Sequence, residues 1–251
     1  MRLGRRAVLA VMVMALGGGR PALGLRPFVS TDAEVAAPGE LEFELGYVGF
    51  RRRAGTTAVV APALRANLGI VRDLEVVAEF EAAHAVSSGG RPRSEVRNAA
   101  VSLKGILREG VLQGAAGPSL AVEASLLIPT AHGERQPGSE VVAIASTGVH
   151  GWTLHANGGP LLDTVRANPG VAWGVIVESP LVRDVRAVAE LNGQGVRGSP
   201  AESSGLVGAL WVLEPPPPLT TLTLDAGVRR GISRAADDWA GTAGLTVGLP
   251  W

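Results

Sequence analysis

Apolar and small polar side chains alternate most clearly in the last stretch of the chain, residues 239–251. In an extended segment, Trp239, Leu245 and Trp251 would share one face with glycine, alanine, valine and leucine between them. The other face would carry alanine, glycine, threonine and proline, and no charge. Because side chains on a strand point alternately to its two faces, this pattern predicts a strand with one apolar face. It suits a barrel strand with lipid outside and a crowded lumen inside, although an ordinary sandwich strand is an alternative.

Eleven earlier segments alternate in a similar way, which gives twelve candidate strands. No stretch has a convincing period of 3.6 residues, the signature of an amphipathic helix. The predicted strands are 40–50, 58–68, 74–82, 98–107, 120–129, 141–149, 152–158, 171–178, 185–192, 205–213, 219–229 and 239–251.

The number of candidate strands and the order of their connections favour a closed barrel. Twelve is an even number, as in bacterial outer-membrane barrels, and most odd-numbered connections are longer and more polar than the even-numbered ones. The connection around 108–119 breaks this alternation. We therefore predict an all-β fold, a closed antiparallel transmembrane β-barrel of about 12 strands with short periplasmic turns and longer extracellular loops. A soluble periplasmic β-sandwich binding protein is the alternative.

The start of the chain has the layout of a secretory signal peptide. Arginines precede an apolar run at 7–16, and small residues follow up to Gly24. The run is too short to span a bilayer as a helix. We expect residues 1–24 to be removed after export by the general secretory route. That leaves an N-terminal lead-in at 25–39 and a barrel at 40–251, located in the cell outer membrane.

Composition and charge exclude several classes of protein. Removal of residues 1–24 takes four arginines and no acidic residue, so the net charge falls from +0 to −4. This charge gives no support for nucleic-acid binding. The absence of cysteine excludes disulfides and thiolate metal sites. Hydrophobic residues make up 46% of the chain and charged residues 18%, a balance that alternating barrel strands accommodate in a bilayer.

Charged side chains fall on the less apolar face of many predicted strands. They would need partners in a dry core, whereas a wet lumen keeps them ionised. We predict a lumen charge network that either fills the barrel or sets its selectivity. Eight acids against four bases favour a weakly cation-preferring channel, or a lumen held nearly shut. The predicted network comprises Glu42, Glu44, Arg65, Glu75, Glu79, Lys104, Glu123, His155, Asn157, Glu178, Arg186, Glu190, Asp225 and Arg229.

Arginines are also frequent in and beside three predicted loops, 51–55, 84–96 and 230–238. The arginines expected to crowd the outer mouth of the barrel are Arg51, Arg52, Arg53, Arg91, Arg93, Arg229 and Arg230. Such mouth charges are solvated and screened within about 8 Å at physiological salt, so the lumen charges should dominate selectivity.

Aromatic residues lie near the ends of several predicted strands, and amphipathic rings prefer the two membrane interfaces. The predicted membrane-interface aromatics are Tyr47, Phe80, Trp152, Trp173, Trp211, Trp239 and Trp251.

The histidines raise the alternative of an outer-membrane barrel hydrolase. His155 and Asn157 share a strand face, but no serine has a fixed spacing to His155 that would define a nucleophile and its base. No histidine pair has a metal-ligand spacing. The sequence therefore predicts neither an enzyme, nor a cofactor, nor a metal site.

Several short motifs occur in order along the chain. They are T-D at 31–32 with P-G-E-L-E at 38–42, L-G-I-V-R-D-L-E at 68–75, L-L-I-P-T at 126–130, H-A-N-G-G at 155–159 and V-A-E-L-N-G at 188–193. Together with the final strand they span most of the chain after residue 24. This set resembles the outer-membrane transporter barrels of the "MetA-pathway of phenol degradation" type. The resemblance implies uptake of small solutes, among them aromatic or other apolar compounds. It also implies insertion by the barrel-assembly machinery through the C-terminal strand.

Overall fold

Twelve antiparallel strands form a closed barrel in the computed structural model, which describes residues 27–53, 55–86, 94–130 and 136–251. The predicted signal peptide lies outside the described residues. The prediction of an all-β closed barrel is confirmed. The strands are β1 (Glu40–Arg53), β2 (Thr56–Val71), β3 (Leu74–Ala85), β4 (Ser94–Arg108), β5 (Ser119–Leu127), β6 (Gly138–Val149), β7 (Trp152–Leu162), β8 (Pro169–Glu178), β9 (Val185–Val196), β10 (Glu202–Val212), β11 (Thr221–Gly231) and β12 (Trp239–Pro250).

Pairing of the first strand with the last closes the sheet. Each strand pairs antiparallel with the next along the chain, and β1 pairs with β12 with Leu45 opposite Leu245. Closure leaves no strand edge unpaired, which removes the usual site of edge-to-edge aggregation. The alternative of a two-sheet sandwich is therefore wrong.

Several strands are longer than the sequence pattern predicted, and this shortens the connections. Residues 51–53 were predicted as a loop, but they continue β1. In the strand, Arg51 reaches an acidic partner, Glu81 of β3, along the inner face of the wall. As a result only 54–55 join β1 to β2.

The two ends of the barrel differ less in loop length than the pattern indicated. We call the end where β1 begins and β12 ends the near end, and the opposite end the far end. Near-end connections span 72–73, 109–118, 150–151, 179–184 and 213–220. Far-end connections span 54–55, 86–93, 128–137, 163–168, 197–201 and 232–238.

The wall of the barrel has an apolar outer face and a polar inner face. Val101, Leu103, Leu126 and Val207 are among the exposed outward side chains, whereas Lys104, Glu44, Thr223 and Thr246 are almost fully buried inside. This is the reverse of a soluble protein, in which exposed apolar patches are small. Among the described residues, no helix is long and apolar enough to cross a membrane.

Candidate functional site in the barrel lumen

An irregular segment of the chain crosses the lumen ahead of the first strand. We call residues 27–37 the luminal segment. Pro27 lies against Gly227 of β11, and Ala36 and Ala37 lie against Gly69 of β2. Between these points the segment contacts the inner faces of β3 to β10. The lead-in predicted at 25–39 is thus, in its described part, an element of the barrel interior.

Side chains of the wall satisfy the backbone of this segment. Val29 and Ser30 donate their N–H groups to Glu190, the latter at 2.7 Å. Thr31 and Asn157 exchange two hydrogen bonds, of 3.0 and 2.6 Å. Because a buried irregular segment is not hydrogen-bonded to a neighbouring strand, its backbone N–H groups require other acceptors. These wall groups supply them.

The second half of the segment is held in the same way. Ala33 donates to the Ser146 hydroxyl at 3.1 Å, and Ala36 donates to a Glu75 carboxylate oxygen at 2.6 Å. Asp32 lies 3.5 Å from the Lys104 ammonium group. An ion pair therefore joins the middle of the segment to β4.

One aromatic side chain anchors the beginning of the segment. Phe28 packs on Val188, Leu206 and Leu210, which form an apolar patch on the inner wall of β9 and β10. Leu210 is 0% exposed, so Phe28 and its neighbours cover the patch completely at that position. This is one of two apolar clusters on the described part of the inner wall.

The long near-end connection at 109–118 folds under the lumen. It contains a short 3-10 helix, Val111–Gln113, and the Gln113 side-chain amide donates to the Ala33 carbonyl at 2.8 Å. Leu112 packs against the buried cluster of Ala33, Ala121 and Ile144. This connection broke the predicted alternation of loop lengths, and its length allows it to hold the luminal segment from below.

Two glycines leave the space that the segment occupies. A Cβ atom at Gly174 would lie 1.8 Å from the Ser30 hydroxyl oxygen, and one at Gly69 would lie 2.0 Å from the Ala37 carbonyl oxygen. Both separations are far below van der Waals contact. The seated position of the segment therefore requires glycine at these wall positions.

Charged side chains on β1 to β5 form a row of ion pairs along the inner wall. Arg65 lies between Glu44 at 3.7 Å, Glu79 at 2.9 Å and Glu123 at 3.2 Å. Lys104 lies 3.5 Å from Glu75 as well as from Asp32. The luminal segment and the wall thus share one network of charges.

Glu42 belongs to the same side of the lumen but has a neutral partner. The Asn67 amide donates to Glu42 at 3.4 Å and to Glu44 at 2.9 Å. Glu42 is 7% exposed, and no ion pair to it occurs within the part of the chain that the structure describes. Its negative charge is therefore less compensated than that of Glu44.

A second group lies at the near end, on β6 to β9. The Ser146 hydroxyl lies 2.8 Å from Nδ1 of His155, whose Nε2 is 3.8 Å from Glu178, and Arg186 is hydrogen-bonded to Glu178. A serine, a histidine and a glutamate in this order could form a nucleophilic triad. Here Ser146 is 0% exposed and accepts the Ala33 N–H, so in this conformation the group supports the luminal segment.

A third group lies closer to the far end, on β9 to β11. Arg229 is hydrogen-bonded to Glu190, to Asn192 at 2.9 Å and to Ser204 at 2.9 Å. Glu190 therefore joins Arg229 to the backbone of Val29 and Ser30. Asp225, on the same inner face of β11, is buried.

The predicted interface aromatics lie on the outer face, apart from Tyr47, whose side chain is not described. Trp152, Trp211 and Trp251 are exposed at the near end and Trp239 at the far end, whereas Trp173 lies in the middle of β8. Phe80, which is 37% exposed, lies closer to mid-height on β3. The outer wall therefore has indole rings towards both ends.

Several lumen residues were absent from the sequence prediction. They belong to the luminal segment or contact it, and they are Phe28, Asp32, Gln113 and Ser146. Each has a partner distant in sequence; Ser146 and Ala33, for example, are 113 positions apart. The unusual length of 109–118 was the one local signal. Among the described residues, no group of three or more His, Cys, Asp or Glu side chains is arranged to hold a metal ion.

Comparisons with known proteins add a structural likeness. The fold is similar to the "Crystal structure of the COG4313 outer membrane channel from Pseudomonas putida F1", with a TM-score of 0.59 and 12% sequence identity. The match covers 90% of this chain and 99% of that one. No family model and no curated protein matches the sequence. The chain thus has the barrel fold of an outer-membrane channel.

Proposed function

We propose that this protein is an outer-membrane channel for small solutes, with the luminal segment restricting the passage. The observation that carries the proposal is the reversed distribution of side chains, with apolar residues exposed on the outer wall and charged residues buried inside. In a bilayer the outer wall faces lipid and the inner wall a wet lumen. The likeness to a solved outer-membrane channel supports the same function.

The proposed direction of the barrel follows the usual arrangement of outer-membrane barrels, in which the first strand begins and the last strand ends on the periplasmic side. With both ends of the barrel sequence at the near end, that end faces the periplasm and the far end faces outward. Apart from that of Trp173, the exposed indole rings then lie close to the two membrane interfaces, where amphipathic rings are favoured. The C-terminal strand β12 is the element that the barrel-assembly machinery would recognise.

We propose apolar or aromatic compounds as the solutes, on the basis of one apolar patch in the otherwise polar lumen. The patch of Val188, Leu206 and Leu210 is covered by the ring of Phe28. When the luminal segment moves, the patch becomes accessible, and a planar apolar solute could take the place of that ring. The resemblance to barrels of the phenol-degradation type supports the same class of solute. Although no family model matches, the motifs that carry this resemblance include 31–32 and 155–159, which meet at the Thr31–Asn157 contact.

Fractionation, gel migration and current recordings test the channel, and phenol block tests its solute. The mature protein should fractionate with the outer membrane, migrate differently in gels before and after heating, and conduct ions in planar bilayers. Phenol should reduce this current, and Phe28→Ala should lower the phenol concentration required, because the substitution uncovers the patch. Val29→Ala is the matched control, since Val29 is 71% exposed and outside the patch. A protein that stays in the soluble periplasmic fraction would refute the channel; a current insensitive to phenol in all three proteins would refute only the solute class.

A further inference from the structure

Two arginines flank an exposed indole ring on the outer wall at the far end. Arg52 of β1 and Arg230 of β11 are both register partners of Trp239 of β12. The Arg230 guanidinium carbon lies 4.4 Å from the centre of the Trp239 ring. The three side chains therefore stand side by side on three adjacent strands.

Alternation along the strands turns these two arginines away from the lumen. Their neighbours Arg51 and Arg229 bind Glu81 and Glu190 on the inner side. Because consecutive side chains point to opposite faces, Arg52 and Arg230 point outward. Both were predicted in loops at the channel mouth; that prediction is wrong, since both lie in strands and face the outside of the wall. Arg91 and Arg93 lie outside the described residues.

A hollow of about 330 Å³ lies between these side chains, with Ser233 and Asp238 at its border. Throughout the described part of the chain, neither Arg52 nor Arg230 has a carboxylate within ion-pair distance. Asp237, which also borders the hollow, lies 3.8 Å from Arg51 instead. The hollow therefore contains two guanidinium groups without an anionic partner.

Apolar side chains continue from the hollow towards the middle of the wall. Phe50 and Val228 lie two residues before Arg52 and Arg230 on the same strand faces, and they are 46% and 48% exposed. The Phe50 ring lies over Gly241, where a Cβ atom would be 2.4 Å from it. Two guanidinium groups with an apolar strip beneath them fit a ligand with an anionic head and hydrocarbon tails.

We propose that this hollow binds a phosphate group of the phosphorylated glycolipid of the outer leaflet, lipopolysaccharide, with its acyl chains along Phe50 and Val228. The assignment rests on the proposed outer-membrane location, with the far end facing outward. Guanidinium groups bind phosphate oxygens in a bidentate manner, and interfacial tryptophan lies at headgroup level. A free phosphate ion would meet the same arginines but would leave the apolar strip unused.

Substitutions around the hollow should change the affinity for a phosphate in both directions. Asp238 repels a phosphate, so Asp238→Asn should strengthen binding. Arg52→Gln with Arg230→Gln should weaken it at least about tenfold, equivalent to about 1.4 kcal/mol. Arg52→Lys with Arg230→Lys keeps both charges but loses the bidentate geometry, so its affinity should lie between those of the unmodified protein and the glutamine pair. Arg72→Gln at the near end, an exposed arginine paired with Glu109, is the matched control and should change nothing.

The experiment is a titration of the full mature barrel in detergent micelles with bisphosphorylated lipid A, followed by native mass spectrometry. Dephosphorylated lipid A and inorganic phosphate are the comparison probes. The expected result is binding of bisphosphorylated lipid A that is weaker without phosphates and insensitive to millimolar inorganic phosphate. Equal binding of dephosphorylated lipid A, unchanged binding by the glutamine pair, or full displacement by inorganic phosphate would each overturn the proposal.

Folding and membrane location are measured separately, so that the lipid A site and the proposed channel function can be refuted independently. Heat-dependent gel migration shows that each variant forms the barrel before its titration. If the glutamine pair does not fold, the other variants decide the question. Asp238→Asn should then bind lipid A more tightly than the unmodified protein, and the lysine pair should bind it more weakly. A folded barrel that binds no lipid A refutes this site alone, whereas a barrel absent from the outer membrane refutes the proposed function.

Discussion

Replacing Gly174 by leucine should unseat the luminal segment and increase ion flow. Gly174 faces the lumen from β8, and its missing side chain is the space that Ser30 occupies. A Cβ atom there would lie 1.8 Å from the Ser30 hydroxyl oxygen and 2.9 Å from its Cβ atom. Rotation of the serine side chain relieves only the first of these overlaps, so the backbone of the segment must move.

The hydrogen bonds near Ser30 set the size of the effect. Val29 and Ser30 both donate to the Glu190 carboxylate, and hydrogen bonds to charged groups contribute about 1.5–3 kcal/mol each. Losing one of them destabilises the seated state by at least about 1.5 kcal/mol, and losing both by about 3–6 kcal/mol. At about 1.4 kcal/mol per factor of ten, the unseated population should rise tenfold or more.

Single-channel recording in planar bilayers measures this population as the fraction of time spent in the higher-conductance state. Gly195→Leu is the matched control, because nothing lies within 4 Å of a Cβ atom at that position. Gly174→Ala adds the overlapping Cβ atom alone and should also raise the current; combining it with Ser30→Gly should restore the closed behaviour, since the glycine removes both overlapping serine atoms. If Gly174→Leu conducts like the unmodified protein, or if the double variant stays open, then the seating of residues 29–31 does not limit the current.

Three further predictions address the wall, the charges and the start of the mature chain. Leu245→Lys should impair membrane insertion by about 2–4 kcal/mol, while Thr242→Lys on the inner face should be tolerated; equal losses measured by heat-dependent gel migration would reverse the assigned faces. Glu140→Gln should reduce the cation preference seen in reversal potentials under a salt gradient, because Glu140 is an inward acid of β6 that, unlike Glu79 and Glu123, has no ion pair with Arg65; clear anion preference in the unmodified protein would contradict it. N-terminal sequencing of the mature protein should begin at Leu25, and a mature membrane fraction that retains Met1 would refute the predicted signal peptide.

The barrel could be predicted from the sequence because strand alternation is a local property. In β12, Leu245 and Thr246 fall on opposite faces by position alone, and the structure places them so. The same reasoning failed at 51–53, where three consecutive arginines resemble a solvated loop. In the strand they separate, with Arg51 bound to Glu81 inside and Arg52 directed outward. Charge density alone therefore does not mark the end of a barrel strand.

The luminal segment could not be predicted, because its partners are remote in sequence. Nothing local distinguishes an irregular lead-in that lies outside a barrel from one that crosses it. The partner that binds Ser30, Glu190, is 160 positions away, and the partner of Ala33, Ser146, is 113 positions away. The long connection at 109–118 was the available indication that something inside the barrel needed support.

The position of the wall carboxylates implies that charge and passage are coupled in this lumen. Glu75 and Glu190 are acids that would attract cations, yet both accept backbone N–H groups of the luminal segment. Neutralising either one would weaken the negative field and loosen the segment together, so its effect on current could not be assigned to selectivity. In the described part of the chain, no hydrogen bond or ion pair joins Glu140 to that segment. Selectivity is therefore best tested at Glu140, and seating at Gly174, because each of these positions changes one property while the other is held constant.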